Sequence, residues 1–220
     1  MRRIVLLLPL VAVLSSCIDI PRTSRRDPPP RRPAQAVAAK PDQRQCLAEL
    51  GVTQAAFTPL PDKHFGGGCS TVGTVRLASL RSDTTYMSVA NTGPVTCNLA
   101  KQVAGWARFG VDRAAQQILG SGLARIETFG TYSCRTVAGT SRLSGHATAN
   151  AIDISAFVLQ DGRRISVLNH WSGGTEAERR FLRTVHASAC KRFGTTLGPA
   201  YNAAHKDHLH LEVDGANFCR

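Results

Sequence analysis

The chain has 220 residues, 43% of them hydrophobic, with seven cysteines and a formal net charge of +12. Once an export signal and a tether are set aside, about 175 residues remain, enough for one domain with a sizeable core and too few for two comfortable ones. Nine Lys/Arg against three Asp/Glu lie in the stretch ending at Gln45, so half of the net charge sits there and half in the folded part. Such a balance suits an anionic envelope, and the export signal described next excludes nucleic acid as the partner.

Arg2 and Arg3 precede an apolar run from Ile4 to Leu14 and then Ser15-Ser16-Cys17. A basic start, a short apolar core and small residues describe a secretory signal, and the core is too short for a comfortable membrane span. Leu14-Ser15-Ser16-Cys17 further resembles a bacterial lipobox, which implies that residues 1–16 are removed and Cys17 becomes a lipidated first residue. Ile18, rather than an aspartate, follows it, and by analogy with lipoprotein sorting this points to the periplasmic face of the outer membrane. An ordinary cleaved signal would leave the chain in the periplasm. Residues 17–45 are rich in proline and arginine with little aliphatic bulk, so they are expected to form a tether, locally extended at Pro28-Pro29-Pro30. The domain is expected to span 46–220.

With Cys17 lipidated, Cys46, Cys69, Cys97, Cys134, Cys190 and Cys219 remain, an even set suited to disulfides in an oxidising compartment. No C-x-x-C spacing supports a structural zinc cluster or a thioredoxin-type centre. Of the connectivities open to six cysteines, the expected one is Cys46 with Cys69, Cys97 with Cys134, and Cys190 with Cys219, which closes nearby loops and ties down both ends of the domain.

In chain order, Cys97 to Phe109 carries Leu99, Val103, Trp106 and Phe109 at helical spacing, with Thr96 or Asn98 suited to its start. Ala114 to Leu119 reads as a short second helix closed by Gly120 and Gly122, and Leu123 to Phe129 as a strand leading to Arg135. Ile152 to Leu159 and Arg164 to Leu168 form a hairpin through Asp161-Gly162. Thr175-Glu176-Ala177-Glu178 is a capping box, opening a helix to about Phe193 with Phe181, Leu182, Val185 and Ala189 inward. Leu209 to Val213 is the last strand. The expected fold is α+β, a small, mostly antiparallel sheet carrying the functional residues, with helices packed on one side.

Those residues are His208 and His210, preceded by Asp207, together with His146 and Asp153. In an extended segment alternate side chains share a face, so His208 and His210 reach one region of space. His146 lies on a polar loop and Asp153 at the start of an apolar strand. Two imidazoles and one carboxylate, with a fourth position left for water, are the open tetrahedral set of a catalytic Zn²⁺. A hydrolase is the natural reading. His205 is a neighbour with either a supporting or a simple loop role; His64, His170 and His186 lack partner spacing. Trp106 is assigned to the core, and Trp171 to the core or to a substrate groove.

The segments Ser144 to Asp153 and His205 to His210 resemble the two signature motifs of the zinc D-alanyl-D-alanine metallopeptidases, the group that includes lysostaphin-type enzymes and hedgehog domains. Tyr132-Ser133-Cys134-Arg135, Ser144-Gly145-His146, Asn150-Ala151-Ile152-Asp153, Leu197-Gly198-Pro199, Tyr201-Asn202 and His205-Lys206-Asp207-His208-Leu209-His210 are most similar to the bacterial extensin-like C-terminal family. The resemblance implies that His146, Asp153 and His210 are the metal ligands, Asp207 the general base, His208 a non-ligand neighbour supporting the transition state, and Arg135 the arginine facing substrate. Ala149 departs from the peptidase pattern, which has glycine there. With the envelope location, it implies a zinc peptidase, carboxypeptidase or endopeptidase, acting on amide bonds in the peptide stems of peptidoglycan. A zinc-retaining envelope lipoprotein that binds peptidoglycan without turnover is the alternative for the same ligands.

Overall fold

The computed structural model describes residues 40–220, and the signal, Cys17 and the tether as far as residue 39 lie outside the described residues. Helix α1 (Pro41–Val52) opens on a proline at its first position, where a missing N–H costs nothing, and has Asp42 in its first turn. It therefore takes in the last residues assigned to the tether. Leu50 is fully buried and Cys46 and Leu47 pack on the core, so this segment does have apolar anchors.

Six strands follow: β1 (Ala56–Pro59), β2 (Lys63–Gly66), β3 (Cys69–Thr71), β4 (Thr74–Arg81), β5 (Tyr86–Ala90) and β6 (Val95–Thr96). Helix α2 (Cys97–Trp106) starts at Thr96, whose hydroxyl accepts from the Leu99 N–H. A π-helical stretch, Ala107–Asp112, joins it to α3 (Arg113–Leu119), which ends at Gly120 in the left-handed conformation. The wider π turn shifts the helical register. Leu99, Val103 and Trp106 are buried as their spacing predicts, but Phe109 is rotated outward, half exposed, and lies against the guanidinium groups of Arg108 and Arg113. Both arginines hydrogen-bond to Asp83 in the turn between β4 and β5, tying that turn to the helix.

Next come β7 (Leu123–Gly130), a 3-10 turn (Gly145–Thr148), β8 (Ala151–Leu159), β9 (Arg164–Ser166), α4 (Val167–His170) and α5 (Glu176–Cys190). Gly162 at φ +88 makes the expected turn between β8 and β9. Thr175 and Glu178 make both bonds of the capping box, and Phe181, Leu182, Val185 and Ala189 are the residues α5 buries. The chain closes with β10 (Thr195–Leu197), a 3-10 turn (Ala203–His205), β11 (Leu209–Glu212) and β12 (Phe218–Cys219).

The architecture is mixed α+β, but the sheet is not small. Ten strands form it, in the order β1-β4-β5-β7-β8-β11-β10-β12, with β6 beside β4 and β9 beside β8; β2 and β3 form a separate ribbon. Among the described residues, β5–β7 and β10–β12 pair in parallel and the other strand pairs are antiparallel. Leu77, Leu80, Met87, Ile126, Ile152, Ile154, Phe157, Leu209 and Leu211 from the sheet pack with the buried sides of the helices in one apolar cluster. Trp106 is at its centre, edge-on to Phe157 and Phe193, with its indole N–H on the Val185 carbonyl.

Three disulfides join described residues, Cys46–Cys97, Cys69–Cys134 and Cys190–Cys219. The last is the expected one, and the first two replace Cys46–Cys69 and Cys97–Cys134. Pairing by sequence proximity failed because the strands from Ala56 to Thr96 carry the chain out and back, leaving Cys97 at the start of α2 against α1 and Cys69 against the loop after β7. The bonds mark an oxidising compartment. No described helix is long and apolar enough to cross a membrane.

One buried polar atom, the Thr196 hydroxyl on β10, has no partner among the described residues. Leaving such a group unsatisfied costs about 1–3 kcal/mol, and valine keeps its shape. Thr196→Val is therefore expected to raise the urea midpoint at unchanged slope, a gain of about 1 kcal/mol. A lowered midpoint would show that the hydroxyl is satisfied in solution.

Candidate metal centre

Alternation along β11 builds the site. Leu209 and Leu211 are fully buried in the apolar cluster, so His208, His210 and Glu212 occupy the other face. Residue pairing then runs across the sheet in one row: Gly130 on β7 opposite Asp153 on β8, Asp153 opposite His210 on β11, and His210 opposite Leu197 on β10. Ile152 and Ile154 face the core, leaving Asp153 beside His210 on the site face. His146 arrives from the 3-10 turn before β8, started by the Ser144 hydroxyl, which accepts from the His146 N–H. That turn ends at Ala149 with φ +56, a left-handed conformation that glycine adopts more easily; the Ala149 N–H and carbonyl bond to the His146 carbonyl and the Thr96 N–H.

His146, Asp153 and His210 offer donor atoms that lie within 4.8 Å of one another. His146 Nε2 is 3.2 Å from His210 Nδ1 and 3.1 Å from Asp153 Oδ2, and His210 Nδ1 is 2.9 Å from Asp153 Oδ1. The opposite ring atoms are engaged. His146 Nδ1 donates to the Thr131 carbonyl at 3.2 Å, and His210 Nε2 donates to the Glu212 carboxylate at 3.4 Å. With a cation held in the shared space, those bonds would set the tautomers that turn the lone pairs of His146 Nε2 and His210 Nδ1 toward it, atoms that otherwise hydrogen-bond to Asp153, the usual support for a metal-bound imidazole. Tetrahedral zinc with bonds near 2.0 Å sets its ligands about 3.3 Å apart, close to the separations here, so the donor set fits that ion. His146 and His210 are 3% and 8% exposed, so a cation there is shielded from bulk water.

Electrostatics agree. Burial works to raise the Asp153 carboxyl, but hydrogen bonds from His146 and His210 and their charge hold it well below the usual carboxylate range. Burial works to lower His210, yet its bonds to Asp153 and Glu212 outweigh that and raise it to about 9. The centre is a place where positive charge is favoured. Burial first, then the nearby His208 and His210, push His205 down to about 4.

His208 Nδ1 donates to Asp207 Oδ1 at 2.9 Å, and its Nε2 lies 3.6 Å from Asp153 Oδ1. A cavity of about 510 Å³ opens over Asp153 and His210 and is lined also by His205 and His208, but not by His146, which lies beneath them, nor by Asp207. Asp207 stands behind His208. Arg135 lines the cavity as well, and so does Arg142, which sequence reasoning passed over. Neither tryptophan does: Trp171 lies under the Arg183 guanidinium. His186 is near Cys190 and Cys219, but both sulfurs are in a disulfide. Glu212 was also missed, although its place two residues after His210 on a strand is a signal that period 2 carries.

Residues 44–220 match the family described as Extensin-like protein C-terminus. The chain belongs to that family. No curated protein and no solved structure gave a match. In this extensin-like domain the glycine of Ser144-Gly145-His146 has a local reason: a Cβ at Gly145 would run into the Glu212 carboxyl group. Gly145→Ala is thus expected to displace Glu212 from His210, as Glu212→Gln weakens the same bond, and either change should lower zinc affinity by roughly 10–100-fold in a chelator competition. Unchanged affinity in both would remove Glu212 from the centre.

Proposed function

We propose that this extensin-like protein is an envelope-located zinc peptidase, related to the D-alanyl-D-alanine metallopeptidases in fold and ligand set, that hydrolyses amide bonds in peptidoglycan peptide stems. The observation that carries the reading is the convergence of His146 Nε2, Asp153 and His210 Nδ1, of which Asp153 and His210 line an open cavity, with each imidazole held by its far nitrogen. Supporting it are the disulfides of an oxidising compartment, the secretory signal and the basic balance of the chain. Cys17 is proposed as a lipidated anchor.

His146, Asp153 and His210 would hold the zinc, and the chemistry supplied at such a centre is acidification of a bound water and polarisation of the scissile carbonyl. The chain's own residues handle the protons. Asp207 accepts from His208 Nδ1–H, which leaves the lone pair on Nε2, the ring atom that points toward Asp153. His208 Nε2 takes a proton from the water as its oxygen bonds to the amide carbon, and returns it to the nitrogen as the C–N bond breaks. His208 is thus assigned the base role first expected of Asp207, and Asp207 becomes its positioning partner, because the carboxylate does not line the cavity. Arg135, a planar fork at the cavity wall, receives a substrate carboxylate or the developing oxyanion.

The test has two readouts on purified protein. Zinc content is expected to fall in His146→Ala, Asp153→Ala and His210→Ala and to stay full in His208→Ala and Asp207→Asn. Hydrolysis of cross-linked muropeptides, followed by mass spectrometry, is expected to fall by a hundredfold or so in His208→Ala and by a smaller factor in Asp207→Asn. Full zinc with intact muropeptides across pH in the wild type would leave a zinc-retaining binder, and wild-type rates in His208→Ala would move the base elsewhere.

Location is checked separately. Cys17→Ser is expected to release the protein from the membrane fraction and abolish incorporation of labelled fatty acid while the disulfide-bonded domain stays folded. A wild-type chain that takes up no label would end the lipoprotein proposal.

A further inference from the structure

The cavity over the candidate centre carries charge of both signs: Asp153 and Glu212 are paired with the site histidines, whereas Arg135, Arg142 and Asp214 have no ion-pair partner among the described residues. Arg135 and Arg142 come from the loop after β7, which folds back on itself: Ser144 N–H donates to the Arg135 carbonyl, Val137 N–H to the Arg142 carbonyl, and Thr136 bridges Leu143. The Cys69–Cys134 disulfide fastens that loop one residue before Arg135. Asp214, from the turn between β11 and β12, lines the same cavity. Its carboxylate is held by the Thr195 hydroxyl at 2.8 Å and the Ala216 N–H at 3.2 Å, neutral partners that orient it without cancelling its charge. The turn is pressed onto Gly194, where any side chain would run into Asp214.

Elsewhere on the surface some acidic groups lie beside arginines, as Asp83 does with Arg108 and Arg113, Glu127 with Arg125 and Arg164, and Asp161 with Arg163. In the cavity the two guanidinium groups and Asp214 make no ion pair with any described residue, although all three line one space. A cavity of about 510 Å³ lies within the roughly 300–1,000 Å³ range of clefts that enclose a small ligand. Held charges of opposite sign, presented from separate segments and left unpaired, are complementary to a ligand that brings both signs itself.

We infer that the cavity selects a zwitterionic peptide, with a free carboxylate clamped by Arg142 together with Arg135 and a free ammonium received by Asp214. The inference rests on the peptidase reading for the orientation of the ligand, and it adds to that reading the substrate class and two specificity residues, Arg142 and Asp214. A planar guanidinium suits the carboxylate because two parallel N–H bonds fit its two oxygens. Asp214 accepts a charge-assisted bond from an ammonium but only a weaker, neutral one from an acetylated nitrogen that has lost its charge.

The experiment measures binding, so that it does not depend on turnover. The probe is a D-alanine-containing tripeptide in which a ketomethylene group replaces the central amide, prepared free at both ends, amidated, acetylated, and blocked at both ends. Each form is titrated calorimetrically into the zinc-loaded full chain. In the wild type, amidation alone and acetylation alone are each expected to weaken binding by roughly tenfold or more, the worth of one charge-assisted hydrogen bond. Arg142→Gln should reduce the penalty of amidation while keeping that of acetylation, and Asp214→Asn the reverse. Equal affinity for all four forms in the wild type would overturn the charge assignment, while hydrolysis of muropeptides could still stand. If Arg142→Gln weakens free and amidated forms alike, Arg142 only supports the loop and its assigned role is overturned. Failure of every form to bind fully zinc-loaded protein would overturn this inference and the peptidase reading together.

Discussion

The register between β8 and β11 is the constraint on which the site depends. Asp153 stands opposite His210 because Ile152 and Ile154 on one strand and Leu209 and Leu211 on the other are buried in the same cluster. A slip of one residue would send the leucines to the cavity and the histidines into the core, so the apolar residues set the alignment of the polar ones. Position is thereby fixed by core packing, which is indifferent to whether a cation is bound. The centre is assembled by the sheet, and only His146 has to be delivered separately.

Delivery of His146 uses a tighter device. The chain from Thr131 to Ala149 has no long strand or helix, and its order comes from short-range bonds: the Ser144 cap, Ser133 N–H on the His146 carbonyl, and His146 Nδ1 on the Thr131 carbonyl. Cys69–Cys134 adds a covalent restraint at the start of this loop and Cys190–Cys219 one at the strand that lines the far side of the cavity. Cross-links near a site act by removing freedom from loops that packing alone does not order. Two of the three disulfides thus bound the cavity walls, while Cys46–Cys97 joins α1 to α2 on the helical side.

The parts of this structure that were legible in the sequence are those governed by local rules. The capping box at Thr175, the Asp161-Gly162 turn and the buried stripe of α5 depend on residues within a turn or two of one another. The grouping of His146, Asp153 and His210 was legible because it rests on strand alternation and a motif resemblance. The disulfide connectivity was not, since Cys97 meets Cys46 only after β1 to β6 have carried the chain out and back. Those strands were themselves missed: most are two to five residues long, and a run as short as Val95–Thr96 has no period to read. Phe109 was misplaced because helical spacing assumes 3.6 residues per turn, and the π stretch breaks that count. The contrast between Asp207 and His208 turns on which side chain reaches the cavity, a matter of direction that spacing alone does not give.

Two carboxylates on β8 and β11 illustrate how one strand face can divide labour between holding and tuning. Asp153 lies between two imidazoles, and its negative charge is what makes two close ring nitrogens tolerable in the same buried space. Glu212 touches only the far side of His210, so it acts on the ring without occupying the shared space. The glycine at 145 is required by Glu212, and Glu212 by the orientation of His210, so a residue with no side chain contributes to the centre through two intermediates. Because each link is a close contact of fixed geometry, the centre tolerates little variation in the residues behind its ligands. Its outward face, where Arg142 and Asp214 stand on exposed loops, is under no such restraint from packing and is where specificity can change while the ligand set is kept.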